Sequence, residues 1–542
     1  MNDHLADIVI CGGGLAGLCS ALQIKQQRPE TRVVVIERQR FPLAEAAHKV
    51  GESSVEIGAH YFAEILGLRD HIQQQQLPKL GLRYFFGSHT PERLETRCEM
   101  GGNRFLEAKS YQLDRGRLEN HLAERVCAAG VELIAGARVR EIDLAEGGAP
   151  HRIRYECDGQ SHEVQSRWIF DASGRASLLK RRLGLAEDSP HRAHAVWFRI
   201  NHRLRIDDAC DDADWAARHH HAGQRWLSTV HLMGAGYWVW FIPLASGATS
   251  VGIVCDKDLH SYDEIKNFPL AMEWLRQHEP LAAQMIEPHS QQLMDFVGYR
   301  SYSYGCKQVF SEFWALIGES GFFLDPFYSP GSDFIAMGNT MAVDLLMRSL
   351  NGESGIGQRA AVLDGILQSL FRNHLGIYHR QYPLFANAKV MAAKVVWDFA
   401  YYWAIPATLF FHGQLTNVSV YARNRAVFDA VAELGVEVQE LFRRWHQLDQ
   451  DPYAGSYVDV PELPIMAELN AGLLAEWDAG ETIRGLRRHA DLLHEMAGEL
   501  RDYIQAQHPQ LPLADLPRLQ ACSAGSRCYW DRVWQGLHGV PA

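Results

Sequence analysis

Long apolar runs are missing from this 542-residue sequence, and its first residues do not have the pattern that predicts a leader of the secretory type. No apolar run reaches the roughly 18 residues that a membrane-spanning helix needs. The first ten residues, MNDHLADIVI, lead almost directly into a predicted strand, without a basic stretch or a small-residue cleavage site. These absences predict a chain that has no membrane span and stays in the cytoplasm.

Cysteine motifs and a net positive charge are also missing. The ten cysteines are scattered without a C-x-x-C pair, which disfavours a zinc site and fits a reducing compartment. The net charge of −12 argues against nucleic acid as a partner, because a phosphate backbone selects basic surfaces. The run His219-His220-His221 could bind a metal, but no further ligand is spaced nearby, and a solvated loop is the simpler interpretation. We therefore predict neither a metal nor a nucleic-acid partner.

A glycine-rich loop is present near the N-terminus, between a predicted strand and a predicted helix. The segment Gly12-Gly13-Gly14-Leu15-Ala16-Gly17 satisfies G-x-G-x-x-G. Gly12 allows the tight turn, Gly14 lets the backbone approach a pyrophosphate, and Gly17 lets the helix pack closely. Glu37 follows twenty residues after Gly17, where a carboxylate can accept hydrogen bonds from an adenosine ribose. The pattern predicts a dinucleotide site; the alternative is a glycine turn without a ligand, and the motif alone does not separate FAD from NAD.

Three later segments resemble those of the hydroxylase-type FAD-binding proteins. Arg115 lies in QLDRGRL, which is similar to a segment whose arginine approaches the flavin, although a surface arginine is the alternative. Asp171 opens DASGR, which resembles a turn beside the cofactor. In IGESGFFLDP, Glu319 stands where that family usually has the aspartate that holds the ribityl chain. The loop and the resemblance together imply these FAD-binding residues: Gly12, Gly14, Ala16, Gly17, Glu37, Arg115, Asp171, Glu319, Asp325 and Gly331.

A predicted strand in the middle of the sequence carries two tryptophans. Residues two apart share a face of a strand, so Trp238, Trp240 and Ile242 are expected on one side. The segment WVWFIP resembles the W-x-W-x-I-P motif of the flavin-dependent halogenases. That resemblance implies that the rings keep an organic substrate away from the flavin and let halide and hypohalous acid pass. The alternative is an amphipathic core strand with two packed tryptophans.

Lys79 is the second element of the resemblance. It follows a GES segment and lies in PKLGLRYF, which is similar to the strand that carries the catalytic lysine of the halogenases. A lysine can hold hypohalous acid by a hydrogen bond or react with it to form a haloamine, and either route places the halogen beside one ring carbon. The haloamine route needs a neutral amine, so burial would have to lower the lysine pKa. The competing interpretation is a solvated lysine at the start of a strand.

The segment after Asp325-Pro326 departs from the tryptophan halogenases. A glutamate partners the lysine in that group, whereas Tyr328 stands in its place here and Ser329 is kept. Halogenases of phenols and pyrroles also lack this glutamate. Their substrate rings are activated by their own heteroatom and need less stabilisation of the cationic intermediate. The resemblance therefore favours a phenol or pyrrole substrate, either free or tethered to a carrier protein. It implies these catalytic residues: Lys79, Trp238, Trp240 and Ser329.

The implied activity is that of a flavin-dependent halogenase, which uses reduced FAD, O₂ and a halide ion, chloride or bromide. The sequence has no second dinucleotide motif, which fits reduced FAD supplied by a separate flavin reductase. Three other functions stay open. An FAD-dependent aromatic hydroxylase would need its substrate beside the flavin, a polyprenyl reductase would need a long apolar tunnel, and a third possibility is a flavin-binding protein without catalysis.

The order of predicted elements indicates an α/β chain of several domains. Residues 1–190 and 296–350 are expected to form the two parts of a Rossmann-like FAD-binding domain of the hydroxylase type. Residues 191–295 alternate apolar and polar side chains and predict a β-sheet substrate domain. Residues 351–542 predict a helical C-terminal region, whose aromatic side chains fit either a pocket wall or an ordinary core.

Overall fold

The computed structural model describes residues 5–45, 49, 51–219, 223–449, 455–521 and 528–538. The chain divides into two compact units. The first unit consists of Met1–Gln76, Leu113–Ser189 and Ser303–Phe371. The second unit consists of Leu77–Gln112, Pro190–Tyr302 and Arg372–Ala542. Each unit is thus assembled from three separated stretches, and the stretch that carries Lys79 belongs to the second.

A seven-stranded sheet forms the centre of the first unit. Its strands, in spatial order, are Glu132–Ala135, Val33–Glu37, Leu5–Cys11, Gln160–Asp171, His151–Cys157 and Ala137–Asp143, with Trp314–Leu316 also paired to Gln160–Asp171. The strands around Leu5–Cys11 are parallel. Val33–Glu37 reads VVVIE and is buried throughout, as expected for a β-branched run covered on both faces. The short strands Ala186–Asp188 and Tyr304–Cys306 pair separately.

The described helices of the first unit are Leu15–Gln27, Glu56–His60, Arg69–Gln75, Arg115–Ala128, Leu178–Arg182 and Gly331–Leu350, together with Ile356–Tyr378, within which the division between units falls. The helix Leu15–Gln27 follows the first strand directly and contacts both Arg115–Ala128 and Gly331–Leu350. The strand, loop and helix at the start of the chain therefore have the arrangement that the glycine pattern predicted.

An eight-stranded sheet forms the second unit's framework. Its strands, in spatial order, are Leu293–Tyr299, Ala193–Ile200, Thr249–Asp256, Tyr237–Pro243, Thr229–Gly234, Leu82–Phe85, Glu99–Gly101 and Tyr457–Asp459. The strands Leu77–Pro78 and Tyr111–Gln112 form a separate pair. Most neighbours are antiparallel, but Thr229–Gly234 runs parallel to Leu82–Phe85.

One face of this sheet is covered by two helices. Val239, Phe241 and Val251 contribute to an apolar core with Leu275 of Phe268–His278 and Leu281 of Pro280–Ile286. Neither Trp238 nor Trp240 belongs to that core. Since neighbouring residues on a strand point to opposite faces, both tryptophans lie on the other face of the sheet.

The other described α-helices of the second unit are Ala213–Ala217, Ala388–Tyr402, Thr408–Phe411, Val418–Leu448, Pro464–Gly472, Ala479–Gln507 and Asp531–Leu537. The two longest have clear start signals. Asn417 accepts a hydrogen bond from the Ser419 amide, and Asp478 forms a reciprocal capping box with Glu481. Among the residues described, none of the helices combines the length and the apolar character that a membrane span requires.

Candidate functional site

The glycine loop has a backbone that requires glycine at two positions. Gly12 has φ of +119°, and a Cβ added to it would lie 2.3 Å from the carbonyl oxygen of Ala172. A Cβ at Gly17 would lie 2.0 Å from the carbonyl oxygen of Gly12. The turn and the close helix contact that the sequence assigned to these two glycines are therefore present.

Gly14 differs from both, because a Cβ there would meet nothing within 4 Å. It is the N-cap of Leu15–Gln27, and no side chain caps that helix end. The open space thus lies over the positive end of a helix dipole, which favours an anion such as a pyrophosphate. Glu37 ends the neighbouring strand, where its Oε2 accepts a hydrogen bond from the Gly13 amide at 2.6 Å and its Oε1 accepts one from Gln39 at 2.8 Å.

Arg115 and Glu319 lie in a charged region of the first unit. Arg115 begins the helix Arg115–Ala128, is 9% exposed, and donates from Nη2 to Glu119 Oε1 at 2.6 Å. The surface-arginine alternative is therefore wrong. Desolvation raises the pKa of the partly buried Glu319 carboxyl, while the charges of Arg175, Arg115 and Lys49 oppose that rise.

Asp171 is fully buried at the end of its strand. Its Oδ1 accepts a hydrogen bond from the Ser173 amide at 3.0 Å, and its Oδ2 accepts one from the Leu179 amide at 2.7 Å. Burial raises the pKa of this carboxyl, and the two amide bonds counteract that effect. Asp171 therefore holds the turn that contains Ala172, which packs against Gly12.

The segment before Gly331–Leu350 has an unusual backbone. Asp325 is buried, and its Oδ1 accepts a hydrogen bond from the Phe327 amide at 2.8 Å. Tyr328 and Ser329 follow with φ of +67° and +60°, a conformation that costs about 1–3 kcal/mol at a non-glycine residue. A Cβ at Gly331 would meet nothing within 4 Å, so space is open at the first residue of that helix.

These features fit an FAD group. Gly318, with φ of +60°, would place a Cβ 2.9 Å from Ala16 and 3.5 Å from Ile335, so the segment around Glu319 contacts two helices. Space is open at Gly14 and at Gly331, the starts of those helices. The glycine loop and Glu37 would hold the adenosine diphosphate portion, and the segments at Glu319 and Asp325 would hold the flavin portion.

In the second unit, Trp238 and Trp240 form what we call the tryptophan face. Their ring centroids are 5.4 Å apart, and both side chains are buried. Trp240 Nε1 donates to Ser250 Oγ at 3.3 Å, and the Trp240 ring lies against Gly252, where a Cβ would be 2.2 Å from it. Trp238 Nε1 donates to Tyr382 Oη at 3.1 Å. The shared face that the spacing predicted is present.

Lys79 follows the strand Leu77–Pro78 and is only 2% exposed. Its amide donates to the carbonyl of Ser110 at 3.0 Å, and the next amide, of Leu80, donates to Leu227 at 3.1 Å. The interpretation of Lys79 as a solvated residue is therefore wrong. Burying the charged amine of a lysine costs free energy, so a buried lysine points to a specific role.

His231 is a residue of this region that the sequence analysis missed. It lies opposite Trp240 on the paired strand, with its ring centroid 5.2 Å from that of Trp238 and 4.8 Å from that of Tyr84. Burial, with a smaller contribution from the positive charge of Lys79, lowers the pKa of His231 to about 3. A polar residue at an inward position of the apolar run TVHLMG was the available signal.

A cavity of about 370 Å³ lies beside the hairpin that carries the tryptophan face. Met233 and Tyr237 of the hairpin line it, together with Arg97 and Glu279. Arg97 Nη2 and Glu279 Oε2 form a buried ion pair at 2.5 Å. Desolvation raises the pKa of Glu279, and Arg97 opposes the rise.

Of the histidine run, only His219 is among the described residues, and it takes part in no metal site there. His219 is 2% exposed, with its Nε2 3.2 Å from the carbonyl oxygen of Gly102, so the solvated-loop interpretation is wrong for this residue. His220 and His221 lie outside the described residues. Within the described part of the chain, no cluster of three or more His, Cys, Asp or Glu side chains could hold a metal ion.

The chain is similar in sequence to known FAD-binding proteins. A family model for an FAD binding domain matches residues 5–274. Flavin-dependent halogenase chlA of Dictyostelium discoideum is 27% identical over 438 residues, which cover 74% of this chain and 70% of the relative. The 1H-pyrrole-2-carbonyl-(peptidyl-carrier protein) chlorinase of Pseudomonas fluorescens is 28% identical over 349 residues, 61% of this chain and 73% of the relative.

A solved structure has a similar fold over nearly the whole chain. The crystal structure of halogenase PltM in complex with phloroglucinol and FAD matches with a TM-score of 0.62 and 15% identity, and covers 93% of this chain and 96% of that chain. The prediction of an α/β fold with a hydroxylase-type FAD-binding domain is confirmed. The predicted resemblance is confirmed as well: the chain is similar to flavin-dependent halogenases, which are FAD-dependent oxidoreductases.

Proposed function

We propose that this chain halogenates an electron-rich aromatic ring of the phenol or pyrrole type, with Lys79 presenting the halogen to the ring. The observation that carries the proposal is the burial of Lys79 in the unit that also holds the tryptophan face. A lysine with 2% exposure keeps an amine in a place from which bulk water is excluded. That environment suits the handling of a reactive halogen species, which free water would disperse.

The first unit supplies the flavin half of the reaction. Gly12, Gly14, Gly17 and Glu37 provide the expected dinucleotide cradle. Bound reduced FAD supplies the chemistry that turns O₂ and a halide ion into hypohalous acid. We infer that a separate flavin reductase provides the reduced FAD, since the sequence has a single glycine motif of this kind.

The second unit supplies the halogen-transfer half. Lys79 holds hypohalous acid through its amine, which fixes the electrophile in one place and so selects one ring carbon. The buried rings of Trp238 and Trp240 exclude a bulky aromatic substrate from the space that they occupy. Among the described residues, the first unit carries the FAD-binding pattern and the second carries the lysine and the tryptophan face.

The substrate class rests on the segment before Gly331–Leu350. Tyr328 occupies the place of the glutamate that supports chlorination of tryptophan, so the ring itself must be activated by a heteroatom. The relatives' names agree with this class. One is a chlorinase of a pyrrole carried by a peptidyl-carrier protein, and PltM was solved with phloroglucinol. We therefore include free phenols and carrier-bound pyrroles as candidate substrates.

The test is incubation of the purified chain with FAD, a flavin reductase, NAD(P)H and bromide, together with a panel of phenols, indoles and pyrroles. The pyrroles are offered both free and as thioesters of a carrier protein. Mass spectrometry then detects the product by the paired isotopes of bromine. A monobrominated phenol or pyrrole supports the proposal. A product that gains only oxygen contradicts it and indicates the aromatic hydroxylase, while reduction of an isoprenoid would indicate the polyprenyl reductase.

A further inference from the structure

His231 lies at the centre of the tryptophan face rather than in the apolar core of the sheet. It is 1% exposed, and its partner across the antiparallel pair of strands is Trp240. Its ring is stacked on Tyr84 and tilted against Trp238. The imidazole is therefore held between two aromatic rings, and neither of them can serve as a base.

The orientation of the imidazole is fixed by a backbone group. His231 Nδ1 lies 3.1 Å from the carbonyl oxygen of Arg83, and a carbonyl can only accept a hydrogen bond. Nδ1 therefore carries the proton toward this carbonyl, and Nε2 is the acceptor nitrogen of the neutral ring. The strand that provides this carbonyl is itself anchored, because the Arg83 side chain forms a buried ion pair with Glu99.

The imidazole stays neutral throughout the working pH range. Its pKa lies at about 3; burial is the main cause of this low value, and the positive charge of Lys79 is a smaller cause in the same direction. The carbonyl groups of Arg83 and Thr229 act in the opposite direction. Burial and then the charge of Asp398 raise the pKa of the neighbouring Tyr84, whereas no carboxylate is among the causes of the His231 shift. The charge of Lys79 thus acts on an imidazole that is neutral.

The backbone brings Lys79 to the start of the strand that carries His231. The Leu80 amide donates to the carbonyl of Leu227 at 3.1 Å, and the Thr229 amide donates to the carbonyl of Gly81 at 3.1 Å. These two bonds tie the segment after Lys79 to the residues just before His231. Because these two bonds hold the segments together, the lysine side chain lies within electrostatic range of the imidazole. The lowering of the His231 pKa by the charge of Lys79 agrees with this.

Building on the proposed function, we propose that His231 is a positioning residue for Lys79: its Nε2 accepts a hydrogen bond from the Nζ ammonium and keeps that ammonium protonated and oriented. Lys79 then acts as an acid toward hypohalous acid. Its ammonium gives a proton to the hydroxyl oxygen, the oxygen–halogen bond breaks as the carbon–halogen bond forms, and water leaves. The same ring carbon then gives its proton to the neutral Lys79 amine, which restores the ammonium.

This assignment decides between the two routes that the sequence left open. A haloamine route requires a neutral Lys79 amine as the nucleophile. A neutral imidazole that accepts a hydrogen bond stabilises the ammonium form instead. The chain therefore uses Lys79 as a hydrogen-bond donor and acid, and the halogen stays bonded to oxygen until it reaches the ring carbon.

The test is a matched pair of substitutions, read out by NMR titration of the FAD-loaded protein labelled with ¹⁵N-lysine. His231→Asn keeps a donor near the position of Nδ1 but removes the acceptor at Nε2. His231→Gln places an amide oxygen near the position of Nε2. The Nζ signal of Lys79 is assigned by its loss in Lys79→Arg. His194→Phe is the control, because His194 is another buried histidine of the same sheet whose pKa is lowered.

We expect His231→Asn to lower the Lys79 pKa by about one unit, and His231→Gln to keep it within about 0.3 unit of the native value. The alkaline limb of the bromination pH profile, along which the Lys79 ammonium loses its proton, should move with the Lys79 pKa in each variant. An unchanged Lys79 pKa in His231→Asn, or equal shifts in the Asn and Gln variants, would overturn the proposal. The titration needs no turnover, so failure of the native chain to halogenate would instead contradict the proposed function.

Discussion

In the first unit, the glycines expected to bind the cofactor act through the backbone, whereas in the second unit the groups expected to handle the halogen are buried side chains. Gly12 and Gly17 are required by a turn and by a close helix contact. The burial of Lys79, His231 and Trp240 depends instead on side chains and strands that surround them in the folded chain. Backbone demands leave a local signature in the sequence, whereas side-chain neighbourhoods are created by tertiary pairing. The two regions should therefore respond differently to substitution.

The largest effect is expected at Gly14. Gly14→Val should abolish tight FAD binding and every FAD-dependent reaction, because the new side chain would occupy the open space over the helix N-terminus. The fold itself should survive, since φ of −82° is allowed for valine. Flavin retention after gel filtration and thermal unfolding measure the two effects separately.

Gly12→Ala provides the contrast within the same loop. Its Cβ would collide with the carbonyl of Ala172, and its φ of +119° is strained for alanine. It should therefore lower the melting temperature as well as FAD binding. If Gly14→Val retained as much flavin as the native chain does, the assignment of the cofactor loop would be wrong.

Lys79→Ala should remove only the second half of the reaction. Halogenated product should disappear, while reduced FAD is still oxidised and peroxide or free hypohalous acid appears. Lys79→Arg should fail nearly as completely, because a guanidinium is a poor acid and cannot cycle a proton. Because Lys79 is buried, its removal should cost about 1–3 kcal/mol of stability, more than an exposed lysine would.

The control for Lys79 comes from the same stretch of chain. Lys109 is exposed, and Lys109→Ala should leave both halves of the reaction unchanged. Product is measured by mass spectrometry and flavin oxidation by absorbance. Normal product yield with unchanged regiochemistry in Lys79→Ala would remove Lys79 from the mechanism.

A smaller effect is expected where the tryptophan face meets its neighbouring strand. Gly252→Ala should displace the Trp240 ring, because the new Cβ would lie 2.2 Å from it. We expect roughly tenfold slower halogenation and a stability cost of about 1–3 kcal/mol, with FAD affinity unchanged. Gly435→Ala in the helix Val418–Leu448, where a Cβ meets nothing within 4 Å, is the matched control. Equal halogenation rates in the two variants would show that the ring position does not matter.

The smallest effect concerns stability at acid pH. The unfolded chain protonates His231 near pH 6.5, whereas the folded chain keeps it neutral down to about pH 3. The unfolded state therefore binds more protons in this window, and stability falls as the pH drops from 6.5 toward 3. Between pH 8 and pH 5 the loss from this one group is about 2 kcal/mol.

His231→Gln removes that titration and should make the free energy of unfolding less sensitive to pH by this amount. Urea unfolding at pH 8 and pH 5 measures the difference between the native chain and the variant. Identical pH dependence in both proteins would mean that His231 is not neutral in the folded state.

The sequence predicted the glycine loop, the position of Glu37 and the shared face of Trp238 and Trp240, because each depends on local spacing. It did not predict His231, since the strand Thr229–Gly234 meets Leu82–Phe85 through a pairing of residues far apart in the chain. It also left the burial of Lys79 undecided between two interpretations. Burial there accompanies two long-range backbone hydrogen bonds, from Lys79 to Ser110 and from Leu80 to Leu227, which no local pattern reveals.

We expect the two halves of the halogenation to be carried by different units and to be separable by substitution. The most direct measurement follows flavin oxidation and brominated product together in the native chain, Gly14→Val and Lys79→Ala, with reduced FAD, bromide and an accepted phenol or pyrrole. We predict both signals in the native chain, neither in Gly14→Val, and flavin oxidation without product in Lys79→Ala. Loss or retention of both signals together in Lys79→Ala protein that still binds FAD would contradict the claim.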